Sequence, residues 1–137
     1  MKAFHLEPRM TTLRGVFYPT GYMVLMFPNE HEARESAALL EADGMAEDAV
    51  TLVTPEDFLR EIATTVNDGD LDNLPSPGTE AETVRHFVEL AREGHHALMV
   101  QARTAQQSDH VMTVLHGHHV TYGQRYRYFV IEDLEDQ

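Results

Sequence analysis

Tyr22-Met23-Val24-Leu25-Met26-Phe27 and Ala97-Leu98-Met99-Val100 are short, unbroken apolar runs. Runs of that length suit strands in the middle of a sheet, covered on at least one face. Ala49-Val50-Thr51-Leu52-Val53 is β-branched and fits an edge strand. A last strand is spread over Val120-Thr121-Tyr122 and Tyr126-Arg127-Tyr128-Phe129-Val130-Ile131, interrupted or folded back at Gly123-Gln124. Elsewhere the apolar spacing becomes helical. Val84, Phe87, Val88 and Ala91 fall at i, i+3, i+4 and i+7; Ala33, Ala37 and Leu40 lie on one helical stripe, as do Val111, Val114 and Leu115.

Polar punctuation agrees with these boundaries. Asn29, Thr79 and Thr104 each precede a Glu or Gln three positions on (Glu32, Glu82, Gln107), the spacing of a capping box. Thr54-Pro55 puts proline at a first helical position, where its missing N–H costs nothing. Gly44, Gly94 and Gly117 follow the periodic segments and suit helix ends. The order is strand, helix, strand, helix, then helix, strand, helix, strand, with an acidic connector at 67–78 between the halves.

A right-handed crossover in each half predicts an α+β, ferredoxin-like split β-α-β sandwich: a four-stranded antiparallel sheet with helices on one face. A single domain spans 19–137. Residues 1–18 form an N-terminal arm or extra strand, which pairs ahead of the first strand or docks on another subunit. Such a sheet leaves an apolar face open, which predicts self-association, most simply as a homodimer.

The phrases YMVLMFPNEHEARESAALLEADGM and HHALMVQARTAQQSDHVMTVLHGHHVTYG resemble the small bacterial general-stress (heat-induced stress) domain family. There a strand leads into an Ala- and Glu-rich helix, and a strand-helix-Gly-strand unit closes the domain. The likeness covers roughly residues 20–131. It implies a ferredoxin-like stress-response module and no catalytic residues. The middle insert and the high histidine content depart from the family pattern.

Composition narrows the partners. The chain has 137 residues, 10 basic against 23 acidic, for a net charge of −13. Lys2, Arg9 and Arg14 against Glu7 leave residues 1–28 at +2 and the rest at −15. A surface so acidic repels phosphate backbones and anionic lipid, so neither nucleic acid nor membrane is expected. No apolar run approaches the ~20 residues of a bilayer span, and residues 1–10 lack the apolar core of a signal peptide. A cytoplasmic protein is the expectation. Cysteine is absent, which excludes disulfides, thiolate metal sites and cysteine nucleophiles. No P-loop, dinucleotide glycine fingerprint or G-x-S-x-G elbow is present.

The candidate chemistry is histidine. In the expected sheet the first strand lies between the strand at 97–102 and the last strand. At ~4.8 Å per strand step, His95/His96 and His118/His119 begin ~10 Å apart, with His31 at the same end. Imidazoles so placed can share Zn²⁺ or another divalent transition metal at ~2.0–2.1 Å, with Glu30 or Glu32 completing the shell. The expected metal set is His31, His95, His96, His118 and His119; no organic cofactor is expected. The first reading of these residues is nonetheless that they end helices and begin strands, where imidazoles bond orphan carbonyls, and the metal site is the alternative. Adjacent histidines at a strand start point to opposite faces, so one of each pair can join a given site.

Tyr122, Arg125, Tyr126, Arg127 and Tyr128 form an aromatic-basic cluster able to take a protein partner or a small ligand. Three functions stand open: a non-enzymatic stress-type module acting by self-association or partner binding, a metal-binding protein or metal-dependent enzyme, and a small-ligand sensor.

Overall fold

The computed structural model describes residues 1–7, 10–11, 17–65, 78–127 and 130–134. Its elements are β1 (Lys2–Ala3), β2 (Tyr22–Phe27), α1 (Glu30–Ala42), β3 (Val50–Val53), α2 (Pro55–Asp57), α3 (Gly78–Arg92), β4 (His96–Gln101), α4 (Ala105–Val114), β5 (Tyr122–Arg127) and β6 (Val130–Leu134). A π-type turn, Phe58–Ile62, and a 3-10 turn, Ala63–Thr65, carry α2 onward. No helix among the described residues is long and apolar enough to cross a membrane.

Helix ends form as the polar marks predict at Asn29, Thr54 and Thr104, whereas the helix expected to start after Thr79 already includes it. Asn29 accepts from the Glu32 N–H at 2.9 Å, and Thr54 from Asp57 at 3.1 Å. Thr104 and Gln107 satisfy each other's backbone in a full capping box. The Thr79 side chain lies outside the described residues. After α3 the chain turns left-handed at Gly94 (φ 94°), so that His95 N–H reaches Leu90 O at 3.0 Å and Gly94 N–H reaches Ala91 O at 3.0 Å. Those bonds close the orphan carbonyls of the last helical turn.

The six strands form one mixed α+β sheet in the order β1-β3-β4-β2-β5-β6. β4 runs antiparallel to both β2 and β3, β5 antiparallel to β2, and β6 antiparallel to β5; β1 is parallel to β3. This differs from the expected four strands in three places. Lys2–Ala3 adds a strand outside β3, so Val50–Val53 is not an edge and all of it is buried. Tyr122–Arg127 runs unbroken through Gly123, which lies opposite Leu25 and Leu134. The chain folds back only after Arg127, and β6 becomes the outer strand. Residues 12–16 and the connector through 77 lie outside the described residues, whereas Phe4, Met10 and Phe17 are buried in this chain's own core.

Alternation along the strands divides the core into two layers. Met23, Leu25, Phe27, Val50, Leu52, Leu98 and Val100 face Ala33, Ala37 and Leu40 of α1, Val111 of α4 and Leu115 just beyond it. Val24, Met26, Val53, Ala97 and Met99 face the other way. Phe58, Ile62 and α3 residues Val84, Phe87, Val88 and Ala91 cover that second side.

Helices therefore lie on both faces, not one, and the open apolar face on which a self-associating surface was expected is covered within the chain. The physical reason is the length of the link between β3 and β4. It is two helical segments with an apolar stripe of their own, and the nearest surface able to bury that stripe is the free side of the sheet.

Candidate functional site, a histidine and carboxylate cluster at one sheet end

The end of β2, the start of β4 and the start of β5 meet at one end of the sheet. Phe27 pairs with His96, and the Thr121 N–H donates to Met26 O at 2.8 Å. α1 begins three residues after β2 ends, so its first turns stand over this end. Chain direction alone thus brings His31, His96 and the 116–119 loop together, as the sequence spacing predicts.

The side chains sort into two clusters around carboxylates. Glu35 lies between two imidazoles: His31 Nε2 is 3.1 Å from Oε2, and His118 Nδ1 is 4.0 Å from Oε1. Glu30 stands beside His96, with Nε2 at 3.8 Å, and accepts from Arg34 Nε at 2.5 Å. The hydrogen bond from Arg34, then its charge, hold the Glu30 carboxyl below its ordinary value of 4.5, with His96 adding a smaller pull. His96 is the sheltered member, its side chain 14% exposed against 80% for His31 and 36% for His118.

Two of the expected residues stand apart. His95 Nδ1 sits 3.1 Å from Leu90 O, so its ring closes the end of α3 and leaves the cluster. His96, one residue on, faces α1, as alternation at a strand start requires. His119 takes the left-handed conformation (φ 65°), alone among the described non-glycine residues, and its side chain is exposed. Among the described residues no three His, Asp or Glu side chains are placed to hold one metal ion together.

Glu35 was missed by sequence reasoning that looked to Glu30 and Glu32. Its signal was present: His31-x-x-x-Glu35 is the i, i+4 spacing that stacks two side chains on one helix face.

The aromatic-basic cluster does not form one accessible surface. Tyr122 lies flat against His86, with centroids 4.0 Å apart and planes 6° apart, and meets Phe87 edge-on at 5.2 Å. Tyr126 is buried between Phe17 and Tyr18 at 6.1 and 4.9 Å. Arg125, also buried, lies on the opposite side of the strand, in register with Met23. The period of a strand separates residues that look adjacent in sequence. Tyr128 and the Arg127 side chain lie outside the described residues.

No family model, curated protein or solved structure matches the chain.

Proposed function

We propose that the chain is a non-enzymatic binding module and that its working site is the histidine–carboxylate end of the sheet, with a divalent transition metal such as Zn²⁺ as ligand. The observation that carries this reading is the Glu35 carboxylate set between His31 and His118, with His96 and Glu30 alongside. These groups come from α1, β4 and the loop before β5. Glu35 and two neutral imidazoles supply the N and O donors that Zn²⁺ accepts at ~2.0–2.2 Å. The three donors are not placed to hold one ion as they stand, so binding requires the exposed His31 and the loop carrying His118 to shift toward Glu35, exchanging two imidazole contacts for coordinate bonds. Such binding requires deprotonated imidazole and weakens as pH falls.

The sheet order supports a ferredoxin-like core for the module. β3, β4, β2 and β5 are adjacent in that order, all antiparallel, with α1 and α4 sharing one face. β1, β6 and the helical link from β3 to β4 are additions to it. A stress-response setting rests on the family resemblance alone.

Calorimetric titration of the untagged chain with ZnCl₂ tests the site. Wild type is expected to bind in the micromolar range, Glu35→Gln and His118→Ala at least tenfold more weakly, and His5→Ala as wild type. No binding tighter than tens of micromolar by the wild type removes the metal reading.

A second reading, self-association, is favoured by one observation: β6 is the last strand of the sheet, and among the described residues nothing pairs with its outer edge. Strand addition there continues the sheet into a second copy. Sedimentation showing monomer throughout the micromolar range even at 0.5 M NaCl removes it.

A further inference from the structure

A cleft of about 480 Å³ opens at the far end of the same helical layer, where α1 ends, β4 ends and α4 begins. Gln101, at its edge, is five residues along β4 from His96, about 17 Å at ~3.3 Å per residue, so the cleft is separate from the histidine cluster. Met45, Ala49 and Val111 give it apolar walls, and Gln101, Arg103 and Gln106 its polar ones. His110 adds a further polar side, held by Asp43 at 2.5 Å from Nε2 to Oδ2. That hydrogen bond ties α4 to the end of α1, 67 residues away in sequence, and fixes the outer side of the opening.

The lining decides the sign of a ligand. The chain carries −13 overall, yet none of the residues lining this cleft is acidic, and two, Arg103 and His110, are basic. His110 is already matched by Asp43. Arg103 forms no ion pair among the described residues; its stem lies beside Gly21 and the residue is exposed. An exposed guanidinium beside apolar side chains, with amide groups at hand, is a carboxylate-binding arrangement. The volume falls in the range of small-molecule sites.

We infer that this cleft binds a small organic acid: its carboxylate paired with Arg103, its compact apolar body against Met45, Ala49 and Val111, and any further polar group met by Gln101 or Gln106. The inference is independent of the metal reading. Neither site shares a residue with the other.

Heteronuclear NMR titration of the full chain tests it, using benzoate, the uncharged isostere benzyl alcohol, and inorganic phosphate as probes. Benzoate is expected to move the amide signals of Met45, Gln101, Arg103 and Gln106 saturably at millimolar concentration. Benzyl alcohol is expected to bind at least fivefold more weakly, which isolates the carboxylate without any substitution. Arg103→Gln should lose benzoate affinity by at least fivefold, whereas His31→Ala should keep it. Equal binding of benzyl alcohol, full retention of affinity in Arg103→Gln, or phosphate binding as tightly as benzoate each overturns the inference. So does the absence of saturable shifts at these amides.

Discussion

At the scale of single residues, neighbouring histidines have unlike roles because backbone geometry separates them. His95 finishes α3 and His96 faces α1, so His95→Ala is expected to leave metal affinity within about twofold of wild type. Its cost should appear as about 1 kcal/mol of stability from the lost contact with Leu90, read by urea denaturation. Glu30 gives a pH-dependent effect whose sign is fixed. Arg34 lowers its folded-state carboxyl below 4.5, so the contribution is present above the unfolded value and is lost as pH falls through the lowered folded one. Glu30→Gln should therefore lose less melting temperature than wild type on acidification from pH 7 to below 4, the effect being small for an exposed carboxylate. An equal loss in both proteins removes this assignment. Gly94 makes a third residue-scale case: a Cβ there would meet nothing within 4 Å, yet φ is 94°. Gly94→Ala should cost about 1–2 kcal/mol, all of it from the backbone.

At the scale of elements, the strands and helix ends were legible because each carries its own period or cap. The second sheet face, expected to be open, is instead covered, and the signal for that cover is in the chain. Met23 through Phe27 and Ala97 through Val100 are apolar at every position, and a strand apolar at every position asks for cover on both sides. The stripe of Val84, Phe87, Val88 and Ala91 predicts a helix, and it covers the face opposite α1 and α4 rather than sharing theirs. What sequence could not supply was the pairing of Lys2–Ala3 with β3, since two residues carry no period. The cleft pairing of Asp43 with His110 was equally invisible, being a contact between distant segments. If the link between β3 and β4 is part of the core, Phe87 should be a principal support. It is fully buried, 5.8 Å from Phe58 and 5.2 Å from Tyr122 between ring centroids. Phe87→Ala is expected to cost about 3–5 kcal/mol, measured by denaturant unfolding. A cost under about 1 kcal/mol would mean that the helical link lies loosely on the sheet.

At the scale of the whole molecule, charge and edge are coupled. A net charge of −13 on 137 residues opposes compaction through self-repulsion, and that repulsion is long-ranged. Several attractive pairs are local and largely exposed, Arg34 with Glu30, Arg60 with Asp57 and His31 with Glu35, while the Met1 amine with Glu41 and His110 with Asp43 join distant segments. Exposed pairs of this kind contribute little, about 0–1 kcal/mol each. Salt shortens the Debye length from about 30 Å at 0.01 M to about 3 Å at 1 M, so it removes the repulsion more than it removes the contacts. Melting temperature should therefore rise between low salt and 0.5 M NaCl; a fall would show that the local pairs outweigh the net charge. The same screening bears on self-association. β6 contains Glu132 and Asp133, and two copies joined edge to edge would bring four such carboxylates onto neighbouring strands. Like charges on adjacent strands are destabilising, so an edge-to-edge dimer should be absent at low salt and gain population as salt is added. Sedimentation at both salt concentrations separates this from an apolar face-to-face dimer, whose stability would depend far less on salt. A dimer equally populated at both would place the contact away from β6.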